Sequence, residues 1–236
     1  MQRHFMISIG HHHDKMPFQF SARCITGMFD PDKIDPDYVS FVSGSYTFRS
    51  EPSAEDYLDF AREELVNGHS ERTLINALSH AKRALHLRME DVCQAFGGTS
   101  LTKNKPFPVL ANYLKQCGLP SLGALEKLNN ARNTVEHKYT VPAPEMVEIY
   151  IDVAHFFIFA TDRWAGRRPC DIETSEKDEV NDRHLRIVSF NWEQGSVKLK
   201  IRDKSCKAYE FPHSITYTNK DPEFYKWVVF ATKHST

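Results

Sequence analysis

The amino-acid sequence predicts an α+β protein: an all-α helical bundle with an N-terminal extension in front and a small antiparallel β unit behind. Three observations predict it. Residues 53–168 repeat apolar side chains at intervals of three, four and seven. Residues 184–236 instead alternate apolar and polar side chains with a period of two. Between them lies the acidic, polar run Asp171 to Arg183, which reads as part of a linker over residues 169–183.

The extension, residues 1–52, carries two short strand-like stretches, Ile7 to Ile9 and Tyr38 to Phe48. Pro17, Pro31, Pro36 and Pro52, with neighbouring aspartates, mark turns between them. Ser53 and Asp56 form a capping-box start for a helix through Tyr57, Leu58 and Leu65, which Asn67-Gly68 ends. Ser70 caps a long helix with Leu74, Leu78, Ala81, Leu85, Val92 and Phe96 on one side, terminated by Gly97-Gly98. A shorter helix runs from Pro108 to Gln116 and stops at Gly118. Leu122, Leu125, Leu128 and Val135 define the apolar side of the next, which Pro142 and Pro144 stop. Pro144 then opens a strong helix through Tyr150, Ala154, Ile158 and Thr161. In the β unit, strands are expected at His184–Phe190, Ser196–Ile201, Lys207–Phe211 and Trp227–Phe230, with a hairpin turn at Gln194-Gly195. So few strands have little margin alone, and the unit is expected to pack on the helices.

The chain has 236 residues, a formal net charge of −1, 41% hydrophobic and 26% charged residues. With no global basic excess, any nucleic-acid contact must come from a local patch. The five cysteines, Cys24, Cys93, Cys117, Cys170 and Cys206, are scattered and never form a CxxC pair. That pattern fits free thiols in a reducing compartment and argues against a zinc ribbon or a disulfide framework. There is no apolar run of membrane-spanning length, so the expected location is cytoplasmic, with no membrane contact. The absence of a P-loop, a GxGxxG turn and a nucleophile elbow removes the corresponding ATPase, dinucleotide and hydrolase readings.

The chemistry concentrates in Arg132-Asn133-Thr134-Val135-Glu136-His137-Lys138-Tyr139. Arg132 keeps its charge at any ordinary pH, and His137 can take or give a proton near neutrality. Together they supply what RNA cleavage without a metal needs: charge stabilisation at the phosphorane and proton transfer from the 2′-hydroxyl. A cationic pair at a helix end is also favoured by the macrodipole alone.

With the helix order around it, Arg132-Asn133-x3-His137-x-Tyr139 resembles the HEPN family (higher eukaryotes and prokaryotes nucleotide-binding), whose hallmark is R-x(4–6)-H, commonly with a polar residue after the arginine. The likeness covers roughly residues 53–165, including the helix around Ala77-Leu78-Ser79-His80-Ala81. It implies a HEPN-like bundle and metal-independent endoribonuclease activity leaving a 2′,3′-cyclic phosphate, with no cofactor. His137 would be the general base or acid, Arg132 the phosphate clamp, and Asn133 an orienting hydrogen-bonder. In active HEPN proteins two chains combine their motifs, so a homodimer is implied. Five residues turn a helix by about 500°, so Arg132 and His137 diverge on one straight helix. Some HEPN toxins carry R-x4-H-x-Y, and a nucleotidyltransferase antitoxin adds AMP to the tyrosine; Tyr139 fits that place. The setting implied is toxin–antitoxin or anti-phage (antiviral) defence.

Other clusters are weaker. His80, Lys82 and Arg83, with Lys138 beside the motif, are candidate RNA-backbone contacts, against the reading of a solvated basic face. Arg163-Trp164-Ala165-Gly166-Arg167-Arg168 mixes cations with an aromatic, as single-stranded RNA sites do, but helix termination also favours cations there. Three adjacent imidazoles at His11-His12-His13 cannot converge on one tetrahedral ion, so no metal site is expected. The alternative function, from a different class, is a catalytically silent HEPN-like module that binds a nucleotide, RNA or a partner protein.

Overall fold

Helix α1 (Ala54–Val66) starts at Ser53, whose hydroxyl accepts from Asp56 N at 3.0 Å while the Asp56 carboxylate accepts from Ser53 N at 2.7 Å. The pair satisfies two N–H groups that a helix start leaves without partners. The computed structural model describes residues 29–49, 51–99, 105–119, 140–178 and 182–235. Helix α2 (Glu71–Ala95) is capped by Ser70, which accepts from Thr73 N at 3.3 Å. It closes where Gly98 N donates to Cys93 O at 2.7 Å, with Gly97 at a φ of +85°. Helix α3 (Phe107–Gln116) ends in the same way, Leu119 N donating to Leu114 O at 3.1 Å past Gly118. Helix α4 (Pro144–Asp162) begins on a proline, where the missing N–H costs no intrahelical bond.

Helix α2 is the centre of the helical layer and packs against α1, α3 and α4. Its buried side, Leu74, Leu78, Ala81, Leu85, Met89 and Val92, meets Leu58 and Ala61 of α1 and Val147, Ile151, Ala154 and Ile158 of α4. A short turn of helix, α5 (Trp164–Arg167), carries the fully buried Trp164 and leads directly into the sheet.

The sheet corrects the expected architecture. It has six antiparallel strands: β1 (Ser40–Gly44), β2 (Arg168–Glu173), β3 (Lys177–Asp178), β4 (Arg183–Asn191), β5 (Ser196–Asp203) and β6 (His213–Thr218). The order is β1-β2-β4-β5-β6, with β3 also paired to β4. The molecule is therefore not an all-α bundle with a small β unit attached. One edge strand comes from the N-terminal extension, and two strands come from the residues expected to form the linker. Ser40 pairs with Glu173, and Val42 with Asp171.

Two further expectations fail locally. Residues 207–211 form no strand: Glu210 N donates to Lys207 O in a turn, Tyr209 is 92% exposed, and pairing begins only at His213 beyond Pro212. Trp227–Phe230 lies inside helix α6 (Pro222–His234) rather than in a strand. Pro222 sits at its first turn, and Phe224, Trp227, Val228 and Ala231 bury one helical face at spacings of three, four and seven. That face lies on the inner side of the sheet, where Phe41 of β1 meets Phe230. Along β5, Val197, Leu199 and Ile201 point into the same core while Lys198 and Lys200 alternate outward.

Helices and sheet are joined at two places. Phe96, at the end of α2, sits edge-on to both Trp164 and Trp192, each at 5.2 Å between ring centroids. Trp192 Nε1 in turn donates to Pro169 O at 2.7 Å. Beside them Gly97 and Gly195 touch backbone to backbone; a Cβ on Gly195 would lie 2.4 Å from Asn219 Nδ2, which donates to Gly97 O at 2.8 Å. No side chain fits at Gly195, and its φ of +59° shapes the β4–β5 hairpin turn. No helix among the described residues is long and apolar enough to cross a membrane.

Candidate functional site

Arg132, Asn133, His137, Lys138 and Tyr139 all lie outside the described residues, as do the helix expected around Leu122–Val135, the Ile7–Ile9 stretch and His11–His13. Just beyond the motif, Pro142 is buried and α4 begins at Pro144. The three remaining candidates, His80, Lys82 and Arg83, all lie on α2.

His80 and Arg83 meet at the Tyr57 ring of α1. His80 is turned inward against α1, stacked on Tyr57 at 6.1 Å with 25° between ring planes and edge-on to Phe60 at 5.7 Å. Its Nδ1 is out of solvent and without a hydrogen-bond partner. That placement packs its ring between α1 and α2, on the same Tyr57 ring that lines the neighbouring cleft. Lys82 and Arg83 line this open cleft of about 330 Å³ with Tyr57, His86, Leu87 and Glu90. Arg83 lies over the Tyr57 ring at 5.9 Å from its centre, a cation–π distance. His86 faces Glu90 at 3.5 Å one turn away. The cleft joins cations to one aromatic ring but has a carboxylate at its margin, so its electrostatic pull on an anion is weakened.

The next turn of α2 is built around charge. Arg88 is 1% exposed, ion-paired to Glu55 of α1 and to Asp162 of α4 at 3.7 Å, with its guanidinium 4.1 Å from the centre of the Phe48 ring. Asp91 is equally buried and takes Arg49 Nε at 2.6 Å, while Arg49 also reaches Glu90 at 2.9 Å. Burial outweighs the Arg49 charge and lifts the Asp91 carboxyl above its ordinary range; those carboxylates in turn raise the Arg49 guanidinium. These pairs clamp the segment before α1 to α2, and α2 to α1 and α4. They are too occupied with one another to serve as a substrate site.

In the Arg163–Arg168 cluster the aromatic is buried while Arg163 and Arg167 are exposed. Trp164 is fully buried; Arg163 covers its ring at 4.1 Å and donates to Thr232 O at 3.4 Å. Arg168 donates to Ala95 O at 3.2 Å and lies over Tyr46. Of the aromatics in the C-terminal region, Tyr217 and Trp227 are buried in the core and Tyr209 is free on a loop. A groove between α1 and α4, about 320 Å³ and lined by Asp59, Arg62, His155 and Phe159 among others, carries mixed charge. Next to it α4 exposes Ile149, Phe156 and Phe159, the last two at 75%.

Sequence reasoning missed the solvent face of the sheet. There Arg168, Ser189, Lys198, Lys200 and Thr216 border the largest open cleft among those described here, about 600 Å³. Strand alternation alone signals that Lys198 and Lys200 share a face, but only the pairing of three strands reveals what lies beside them. Among the described residues no group of three or more His, Cys, Asp or Glu side chains is placed to hold a metal ion. Comparison of the chain with protein-family models, curated proteins and solved structures finds no match.

Proposed function

We propose that this chain is a metal-independent endoribonuclease of HEPN type, cytoplasmic, acting on RNA in a toxin–antitoxin or anti-phage setting. The observation that carries the reading is the motif Arg132-Asn133-x3-His137-x-Tyr139, with every chemistry-bearing position filled. His137 accepts the proton of the attacking 2′-hydroxyl or returns one to the leaving 5′-oxygen, Arg132 stabilises the phosphorane charge, and Asn133 orients the phosphate. The products are a 2′,3′-cyclic phosphate and a 5′-hydroxyl.

Two copies are proposed to form the composite site, since Arg132 and His137 diverge on a straight helix. The exposed apolar side chains Ile149, Phe156 and Phe159 on α4, the helix that follows the motif, support self-association. Tyr139 is the proposed acceptor of AMP from a nucleotidyltransferase antitoxin, because an anionic adduct two residues past His137 would compete with substrate phosphate for Arg132.

Purified protein is expected to cleave single-stranded RNA in EDTA. His137→Ala and Arg132→Ala should each reduce the rate by about two to four orders of magnitude. Activity that survives both substitutions rules this site out. Tyr139→Phe is expected to keep cleaving yet to gain no AMP-sized mass increment when co-expressed with the antitoxin. If light scattering at micromolar concentration finds only monomers of an active enzyme, the composite site fails. A catalytically silent HEPN-like module that binds nucleotide, RNA or a partner is the reading left if RNA is bound and never cut.

A further inference from the structure

The outward face of the sheet arranges cations along one strand and uncharged hydroxyl groups on both neighbours. Lys198 and Lys200 alternate with core residues on β5, so roughly 7 Å separates their Cα atoms. Directly across from Lys198 stand Ser189 of β4 and Thr216 of β6; across from Lys200 stand Ile187 and Ser214. No carboxylate occupies any of those four positions. Neither lysine forms an ion pair with a described residue, in contrast to Arg183, which reaches Asp203 at 3.2 Å on the next stretch of the same ladder. Acids stand one strand further out, Asp171 and Glu173 of β2, which pair with Ser189 and Ile187, and at the hairpin end, Glu193.

A solvated lysine face would account for this much, but two features go further. The face is hollowed into the cleft of about 600 Å³, whose floor includes Ser189 and Arg168. Ser189 Oγ and Arg168 Nε are both shielded from water without any hydrogen-bond partner. Polar atoms left so carry a desolvation cost that a ligand oxygen would remove.

We infer that this cleft is a docking groove for the backbone of single-stranded RNA, with successive phosphates on Lys198 and Lys200. A groove lined by a row of cations at strand spacing supplies the electrostatic part of how single strands are held without sequence readout. Ser189, Thr216 and Arg168 supply the hydrogen-bond donors that phosphate oxygens take. The inference deepens the ribonuclease reading and rests on it for the choice of RNA as occupant, but it involves none of the motif residues.

The test is fluorescence anisotropy of the full-length protein with a labelled single-stranded 2′-O-methyl oligoribonucleotide, which cannot be cut by 2′-hydroxyl attack. The double variant Lys198→Gln/Lys200→Gln, checked for wild-type circular dichroism and melting, is expected to bind about tenfold or more weakly. The slope of log affinity against log salt should flatten by about 1.4, the share of two phosphate contacts on a single strand. His137→Ala, which removes the proton-transfer group and not the phosphate clamp, serves as the second arm and should slow cleavage of ordinary RNA by about two to four orders of magnitude while leaving oligonucleotide binding as it was. Wild-type protein that does not bind, or a double variant that binds unchanged with an unchanged slope, overturns the groove. So does displacement of the oligonucleotide by an equal concentration of inorganic phosphate or AMP, which would mark a small-anion site instead. If the oligonucleotide binds through Lys198 and Lys200 but RNA is never cut, the ribonuclease reading falls and the groove stands. Cleavage that continues unaltered in the double variant, with unaltered binding, sinks the groove alone.

Discussion

Helix α2 buries polar groups at two neighbouring sites and handles them in opposite ways. At Arg88 and Asp91 the groups are held as partnered ions: Glu55, Asp162 and Arg49 surround them, and the Phe48 ring covers the guanidinium. At the seam where α2, α3 and α6 meet, Cys93, Tyr113 and Cys117 are buried with no opposite charge beside them. Cys93 Sγ donates to Leu110 O at 3.8 Å, Tyr113 OH to Phe96 O at 2.8 Å, and Thr232 Oγ1 to Cys117 O at 3.3 Å. Burial pushes the Cys117 thiol up to about 12 and the Cys93 thiol and Tyr113 phenol higher still; Tyr225, beside Tyr113, is raised to about 12. The contrast is between a site that needs its charges and one that must stay neutral. They should fail under different insults.

The largest effect of a single substitution is expected at the charged site. Arg88→Ala removes a fully buried side chain, strips Asp91 of one of its two cations and opens a cavity under Phe48, costing about 3 kcal/mol in urea unfolding. A loss under ~1 kcal/mol would mean that Arg88 is held for reasons other than stability. Second is the alkaline limb of the neutral site. The folded chain keeps protons on Cys93, Cys117, Tyr113 and Tyr225 that the unfolded chain releases from about pH 9 for thiols and pH 10 for phenols. Their contribution is complete below pH 9 and disappears as pH climbs toward 12, by up to about 1.4 kcal/mol per pH unit for each group still protonated only in the fold. Thermal melts at pH 8, 9, 10 and 11 would show it; a flat profile would place these groups in contact with water. Third, Arg49→Met should cost only about 1 kcal/mol, since Arg49 is nearly half exposed and its pairs are partly screened. Smallest in energy but sharpest in contrast is thiol labelling at pH 8. Cys170 and Cys206 are partly exposed and should react within minutes, while Cys93 and Cys117 should stay unmodified until the chain unfolds.

How much of this was legible depended on how local the cause was. Helix starts and stops are set within four or five residues, and Ser53/Asp56, Ser70, Gly97, Gly118 and Pro144 marked them in the sequence as they stand in the fold. Strand β1 was only bracketed, because its pairing partner lies more than a hundred positions away and no local signal encodes it. The four residues Trp227 to Phe230 are all apolar or aliphatic-rich, too short a run to separate period two from 3.6; Pro222 and Phe224 upstream held the information that resolves them. For function, the Arg132–Tyr139 motif was visible as residue types and lies outside the described residues. The sheet cleft was the reverse: its parts, Arg168, Ser189 and Lys198, mean nothing until three strands bring them side by side.

The pairing of Ser40–Gly44 with Arg168–Glu173 also dictates an order of events in time. Helices α1 to α4 are enclosed within the stretch that this ladder closes, so their local contacts can form while the chain is still being synthesised. The edge strand must wait until residue 173 has left the ribosome. Closing a long loop whose interior is already compact costs less entropy than closing a free coil, so the helical layer acts as the template on which the sheet is completed. A nascent chain halted before Arg168 would hold Ser40–Gly44 as an unpaired strand, the kind of segment that associates with other chains.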